Sequence, residues 1–189
     1  MGPHEFSVIE WPIVQRAIHS TADFELGRSL IFHPRAIEAG IAAIRKGCDV
    51  VADVQMVQAG ISAWLLEPFG GEVRCYMADP DIAERAKAEG TTRAIQCMRK
   101  AAREAPRALY AIGNAPTALL ELVRLIEDGE AEVSLVIGVP VGFVSAADSK
   151  LKLTEQGLVP YITNRGRKGG TPVAVSMTNA LLRMAQKGR

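Results

Sequence analysis

The residues that could do chemistry are few. Of the three histidines, His4 lies near the N-terminus and His33 precedes Pro34 in a loop, so His19 is the candidate for proton transfer. It falls near the end of a helical stretch, in Ile18-His19-Ser20-Thr21-Ala22-Asp23-Phe24. Asp23, one helical turn on, could fix its tautomer and favour its protonated form. A lone helical histidine with a purely structural role is the alternative. No Gly-x-Ser-x-Gly elbow, His-Glu-x-x-His motif or close carboxylate pair occurs, so nucleophilic and metal-assisted hydrolysis are poorly supported. Cys48, Cys75 and Cys97 are odd in number and widely spaced, which fits neither a disulfide framework nor a zinc site and points to a reducing compartment.

Four further segments could bind a ligand. Gly113-Asn114-Ala115-Pro116-Thr117 turns from an apolar run into a helix, and its amides with the Asn114 and Thr117 side chains could take an anion; an Asx turn with Asn114 as N-cap is the plainer reading. Gly138-Val139-Pro140-Val141-Gly142-Phe143-Val144-Ser145 is apolar, and glycines such as Gly142 would let its backbone approach a flat apolar ligand, or simply make a tight connection. Thr163-Asn164-Arg165-Gly166-Arg167-Lys168-Gly169-Gly170-Thr171-Pro172 is the strongest anomaly. Arg165, Arg167 and Lys168 stand at a helix start, where cations oppose the macrodipole, so either an anion sits there or the loop is merely solvated. Arg93, also in a first helical turn, either reaches a carboxylate on a ligand or partner or pairs with Glu89. The loops lack the Walker A order, and no strand is followed by Gly-x-Gly-x-x-Gly.

The elements that would position these residues are legible. Apolar runs at 48–52, 73–77, 108–112, 133–138 and 159–163 read as strands, and their continuous hydrophobicity suits a parallel sheet covered on both faces. Helical stretches separate them, which gives an α/β doubly wound pattern, with helices at about 12–21 and 34–46 added ahead of the first strand. Asp79 before Pro80, Thr171 before Pro172 and the Ser145-x-x-Asp148 box read as helix starts; Gly90, Gly129 and Gly157 read as helix stops. Ligands of such folds lie beyond the carboxyl ends of the strands, where the loops above fall.

The 189 residues, 48% hydrophobic and 23% charged, suit a single folded domain over 1–189 and exclude disorder as the main state. A formal net charge of +1 leaves no global field for a nucleic-acid backbone or an anionic bilayer, so any anion must be held locally. The most apolar run, Val133–Ala147, is too short and too interrupted by glycine and proline to span a membrane. No export signal opens the chain, so a cytoplasmic protein without nucleic-acid or membrane partners is expected.

Taken together, the segments resemble the precorrin-8X methylmutases, the corrin-ring isomerases of cobalamin biosynthesis. The resemblance runs from Glu10-Trp11-Pro12 and Ile18–Phe24 through Asp53-x-x-Met56-Val57-x-x-Gly60, Gly90-Thr91-Thr92-Arg93 and Ile112–Leu119. It continues through Val136–Val144, Ala146-Ala147-Asp148-Ser149-Lys150 and Tyr161–Gly170. It implies a three-layer flavodoxin-like fold with a five-stranded parallel sheet, a homodimer with sites at the subunit interface, and no cofactor. The implied reaction moves a methyl group from C-11 to C-12 of a tetrapyrrole, giving a corrin product. His19 matches the family's proton donor. Arg93, and then Arg165, Arg167 and Lys168, would meet the ring's carboxylates, with the amides near Asn114 and Thr117 receiving others and Gly142 facing the ring. The family pattern includes a helical segment upstream of Glu10 that this sequence does not contain, which motivates a second reading, a carrier that holds the ring without turning it over.

Overall fold

The computed structural model describes residues 2–187; Met1, Gly188 and Arg189, which the single-domain expectation includes, lie outside the described residues. Helix α1 (Trp11–Thr21) starts with Pro12, buries Ile13, Val14 and Ala17, and ends at Ala22 in the left-handed conformation. The short α2 (Phe24–Arg28) is capped by Asp23, whose carboxylate accepts from the Glu25 and Leu26 amides. Then come β1 (Leu30–Phe32), α3 (Ala36–Arg45), β2 (Val50–Ala52), α4 (Gln55–Gly60), two 3-10 turns at Ala63–Leu65 and Glu67–Phe69, and β3 (Val73–Arg74). The rest of the chain is α5 (Pro80–Ala88), α6 (Arg93–Glu104), β4 (Ala108–Ile112), α7 (Pro116–Glu127), β5 (Val133–Gly138), α8 (Ala146–Glu155), β6 (Tyr161–Asn164) and α9 (Thr171–Gln186).

The strands form one sheet in the order β1-β6-β5-β4-β2-β3. Strands β2 to β6 are mutually parallel and are ordered as in flavodoxin-like sheets. The expected five parallel strands are thus present, but the sheet is mixed, because β1 adds a sixth, antiparallel edge strand with Leu30 opposite Asn164 and Phe32 opposite Ile162. Three residues are too few to show a period, which is why β1 is silent in the sequence.

Side chains alternate between two cores. Leu109 and Ala111 of β4 join Leu135, Ile137 and Ile162 in one core with α1, α3, α4 and α9. Ala108, Tyr110 and Ile112 face the other, with Val136 and helices α5 to α8. Both faces are covered, so both alternating sets are apolar and the strands read as unbroken hydrophobic runs.

Gly90, Gly129 and Gly157 follow α5, α7 and α8 with positive φ, as helix stops require. The starts differ from expectation. Asp79 makes no side-chain cap and binds Lys100 instead, at 2.7 Å. Gly170, not Thr171, precedes α9. Ser145 takes the left-handed conformation and makes no side-chain cap, so the Ser-x-x-Asp box does not form.

Tyr110 is fully buried, and its hydroxyl meets no hydrogen-bond partner among the described residues. Removing an unsatisfied buried polar group should not cost stability, so Tyr110→Phe should leave the urea-unfolding free energy unchanged or raise it by about 1 kcal/mol. A loss of that size would show that the hydroxyl is bonded in solution.

Candidate active site

His19 is exposed on the last turn of α1. It lines an open depression of about 350 Å³ together with Trp11, Gln15, Ile18 and Phe24. The helix is fixed beneath it by Ile13, Val14 and Ala17 in the core and by a 3.2 Å contact between the Ser20 and Ser176 hydroxyls, which ties α1 to α9. Asp23 is not its partner. That carboxylate accepts from the Glu25 amide at 2.8 Å, the Leu26 amide at 3.0 Å and the Lys168 ammonium at 2.6 Å. The hydrogen bond from Lys168 and then that from the Leu26 amide hold Asp23 below the usual aspartate range.

The cationic loop after β6 is therefore tied to the corner that carries His19. Lys168 also binds Glu25 at 2.8 Å, so of the three expected anion-seeking cations this one already has two carboxylates of its own. Arg167 lies over the Phe143 ring, 6.0 Å from its centroid. Arg165 is exposed, and among the described residues its guanidinium meets no carboxylate.

The same loop docks on the one after β5. The Gly170 amide donates to the Val139 carbonyl at 2.8 Å, and the Gly142 amide donates to the Arg167 carbonyl at 3.2 Å. Gly169 has φ +152°, and a Cβ there would stand 2.2 Å from the Val139 oxygen, so only glycine allows the approach. Beyond Gly142 the chain projects Phe143, 89% exposed, and Val144, 80% exposed. This apolar stretch thus has a docked base and an exposed apolar tip.

Between β4 and α7 the expected anion site is occupied by the protein itself. Asp53, fully buried just past the end of β2, accepts from the amides of Gly113 at 3.2 Å, Asn114 at 2.7 Å and Ala115 at 2.8 Å. Burial pushes its pKa up, and the three amides oppose that rise. Asn114 does not cap α7, since Ala115 takes the cap position without a side-chain bond; Asn114 is exposed and Thr117 half-buried. This loop touches the cationic one, since a Cβ on Gly113 would lie 3.1 Å from the Gly170 oxygen.

Arg93 opens α6, which Thr92 caps by accepting from the Ile95 amide. A helix leading into a parallel strand starts at the strands' carboxyl side, so Arg93 lies at the same end of the sheet as the loops. It does not pair with Glu89, whose carboxylate binds Arg99 at 2.6 Å and Gln96 at 2.8 Å.

Sequence reasoning missed Asp53 and Lys150 as individual residues of this region. Asp53 carried one signal, an acid directly after a buried apolar run. Lys150 carried another, since Ala146, Ser149, Lys150 and Leu153 form the buried stripe of α8. Among the described residues no cluster of three or more His, Cys, Asp and Glu side chains could hold a metal ion. Burial pushes the Cys48 thiol up to about 11 and the Cys97 thiol up to about 12, which keeps both protonated.

The family model described as precorrin-8X methylmutase matches residues 1–184. The cobalt-precorrin-8 methylmutase of Priestia megaterium is 59% identical over 188 residues, covering 100% of this chain and 83% of the relative. A precorrin-8X methylmutase from Sinorhizobium sp. is 35% identical over 179 residues, 94% of this chain and 85% of the relative. The solved structure of the Thermus thermophilus precorrin-8x methyl mutase superposes with a TM-score of 0.91 at 43% identity, covering 99% of this chain and 90% of that one.

If Asp53 organises the loop before α7, Asp53→Asn, which keeps the shape but removes charge and one acceptor, should cost about 2–3 kcal/mol in chemical denaturation. An unchanged unfolding midpoint would remove Asp53 from this role.

Proposed function

The chain belongs to the precorrin-8X methylmutase family and is an isomerase of cobalamin biosynthesis, and we propose that His19 is the proton donor of its methyl migration. The substrate of this reading is precorrin-8X or its cobalt-containing counterpart, and the product is hydrogenobyrinic or cobyrinic acid. The carbon–carbon bond to the methyl group breaks at C-11 and forms at C-12 of the same ring, so no atom is gained or lost. Such a shift needs no nucleophile. It needs a held macrocycle and an acid placed where charge builds up, and the proton lent to the ring returns afterwards.

One observation carries the assignment. His19 stands at the rim of a depression walled by Trp11 and Phe24, and the Lys168 bridge to Asp23 and Glu25 brings the cationic loop to the same corner. Aromatic walls suit a flat ring, and the guanidinium groups of Arg165, Arg167 and Arg93, which no carboxylate holds among the described residues, suit its peripheral carboxylates. In this reading Lys168 contributes chiefly by anchoring the loop. In the same reading Asn114, Thr117 and Gly142 would meet the ring from the neighbouring loops.

The depression is open to solvent, and Phe24 and Phe143 are 53% and 89% exposed. That supports a homodimer whose second copy completes each ring site. Three free thiols support a cytoplasmic, reducing location, with the whole chain acting as one domain.

His19→Ala should lower turnover by about 10²–10⁴-fold while product affinity changes little, followed by absorption on mixing with substrate and, separately, with corrin product. Full turnover in the variant would remove His19 from the chemistry. Tight ring binding without turnover in the wild type would leave the carrier reading.

A further inference from the structure

Lys150 is 2% exposed, yet no carboxylate among the described residues lies within ion-pair distance of it. Its ammonium donates to the Lys168 carbonyl at 2.7 Å and to the Asn164 side-chain oxygen at 3.2 Å. Asn164, also buried, uses its amide nitrogen to bond the Lys168 carbonyl at 2.9 Å and the Arg165 carbonyl at 3.1 Å. Two buried side chains thus clasp both ends of the segment 165–168. An isolated buried charge is costly, and an apolar side chain would fill this stripe position of α8 more cheaply.

We propose that Lys150 is a positioning residue of the ring site: with Asn164 it pins the segment 165–168 so that Arg165 and Arg167 face the ring's acid arms. Its positive charge, which no carboxylate pairs among the described residues, adds to the attraction for them. The second part rests on the methylmutase reading; the pinning itself does not. The charges around Lys150 support it. Asp148, on the same helix, lines a cavity of about 530 Å³ together with Lys150, Asn164 and Arg165, but it makes no ion pair with Lys150. The loop contributes only the cations Arg165, Arg167 and Lys168, and the nearby Asp23 and Glu25 are bound to the last of these. From α7, Glu121 is bound to Arg99 and Arg124; from β6 comes the Tyr161 phenol, which burial pushes up. Burial accordingly brings Lys150 from the ordinary lysine value of 10.5 down to about 8.

The loop carries its own reporter, because Arg165, Arg167 and Lys168 are exposed trypsin sites. In native-state digestion followed by mass spectrometry, Lys150→Met and Asn164→Ala should each speed the first cut within 165–168 by about tenfold or more, with Lys150→Arg partly restoring protection. A separate titration with corrin product from pH 7 to 9.5 tests the electrostatic part. Wild-type affinity should fall as pH rises through about 8, and Lys150→Met should bind weakly with that step absent. Cutting at the wild-type rate in both folded variants would overturn the pinning. A wild-type pH profile that persists in Lys150→Met would overturn the contribution of its charge. Failure of the methylmutase reading is recognised separately, by wild-type protein that leaves the substrate spectrum unchanged.

Discussion

Loop backbone at the carboxyl edge of a parallel sheet carries polar groups that no strand neighbour satisfies, and the Asp53 carboxylate answers one such demand by accepting from three successive amides. Those amides would otherwise form an anion-binding nest. With the protein's own carboxylate in place, these amides are already taken, and the proposed site leaves anion binding to the cations of the neighbouring loop. That loop is held in turn by backbone bonds to Val139 and Gly142 and by the buried Lys150–Asn164 pair. The loops at this end of the sheet are thus held from below by buried polar and charged side chains, while Arg93, Arg165 and Arg167 remain exposed.

This division explains how a chain of net charge +1 can serve a polyanionic ring. Some acids and bases neutralise one another, as in the group of Arg99, Arg124, Glu89 and Glu121 on the far face of the sheet from α1. Arg93, Arg165 and Arg167 lack such partners among the described residues, and they sit at the end of the sheet where ligands of this architecture bind. Exposed ion pairs contribute little to stability, so leaving these guanidinium groups free costs the fold almost nothing.

The sequence made the parallel sheet and the helix stops legible because each is a local property: an unbroken apolar run, or a glycine where only positive φ continues the chain. What it hid was non-local or too short. Strand β1 has three residues, and its pairing with β6 joins positions far apart in the chain. The Asp53 bonds to 113–115 depend on β2 and β4 being neighbours, and Asp23 looked available to His19 only because Lys168 is remote in sequence. Lys150 was visible as a polar residue on an apolar stripe, but its acceptors come from the next strand and loop. The candidate ligand loops were legible as places; which of their groups are free was not.

The central claim is that a proton held by His19 moves toward the ring as the methyl group migrates. The most direct measurement is the single-turnover rate of the absorption change on mixing excess protein with precorrin-8X, in H2O and in D2O. The account requires conversion to the corrin spectrum that is slower in D2O. A conversion of unchanged or higher rate in D2O would contradict it.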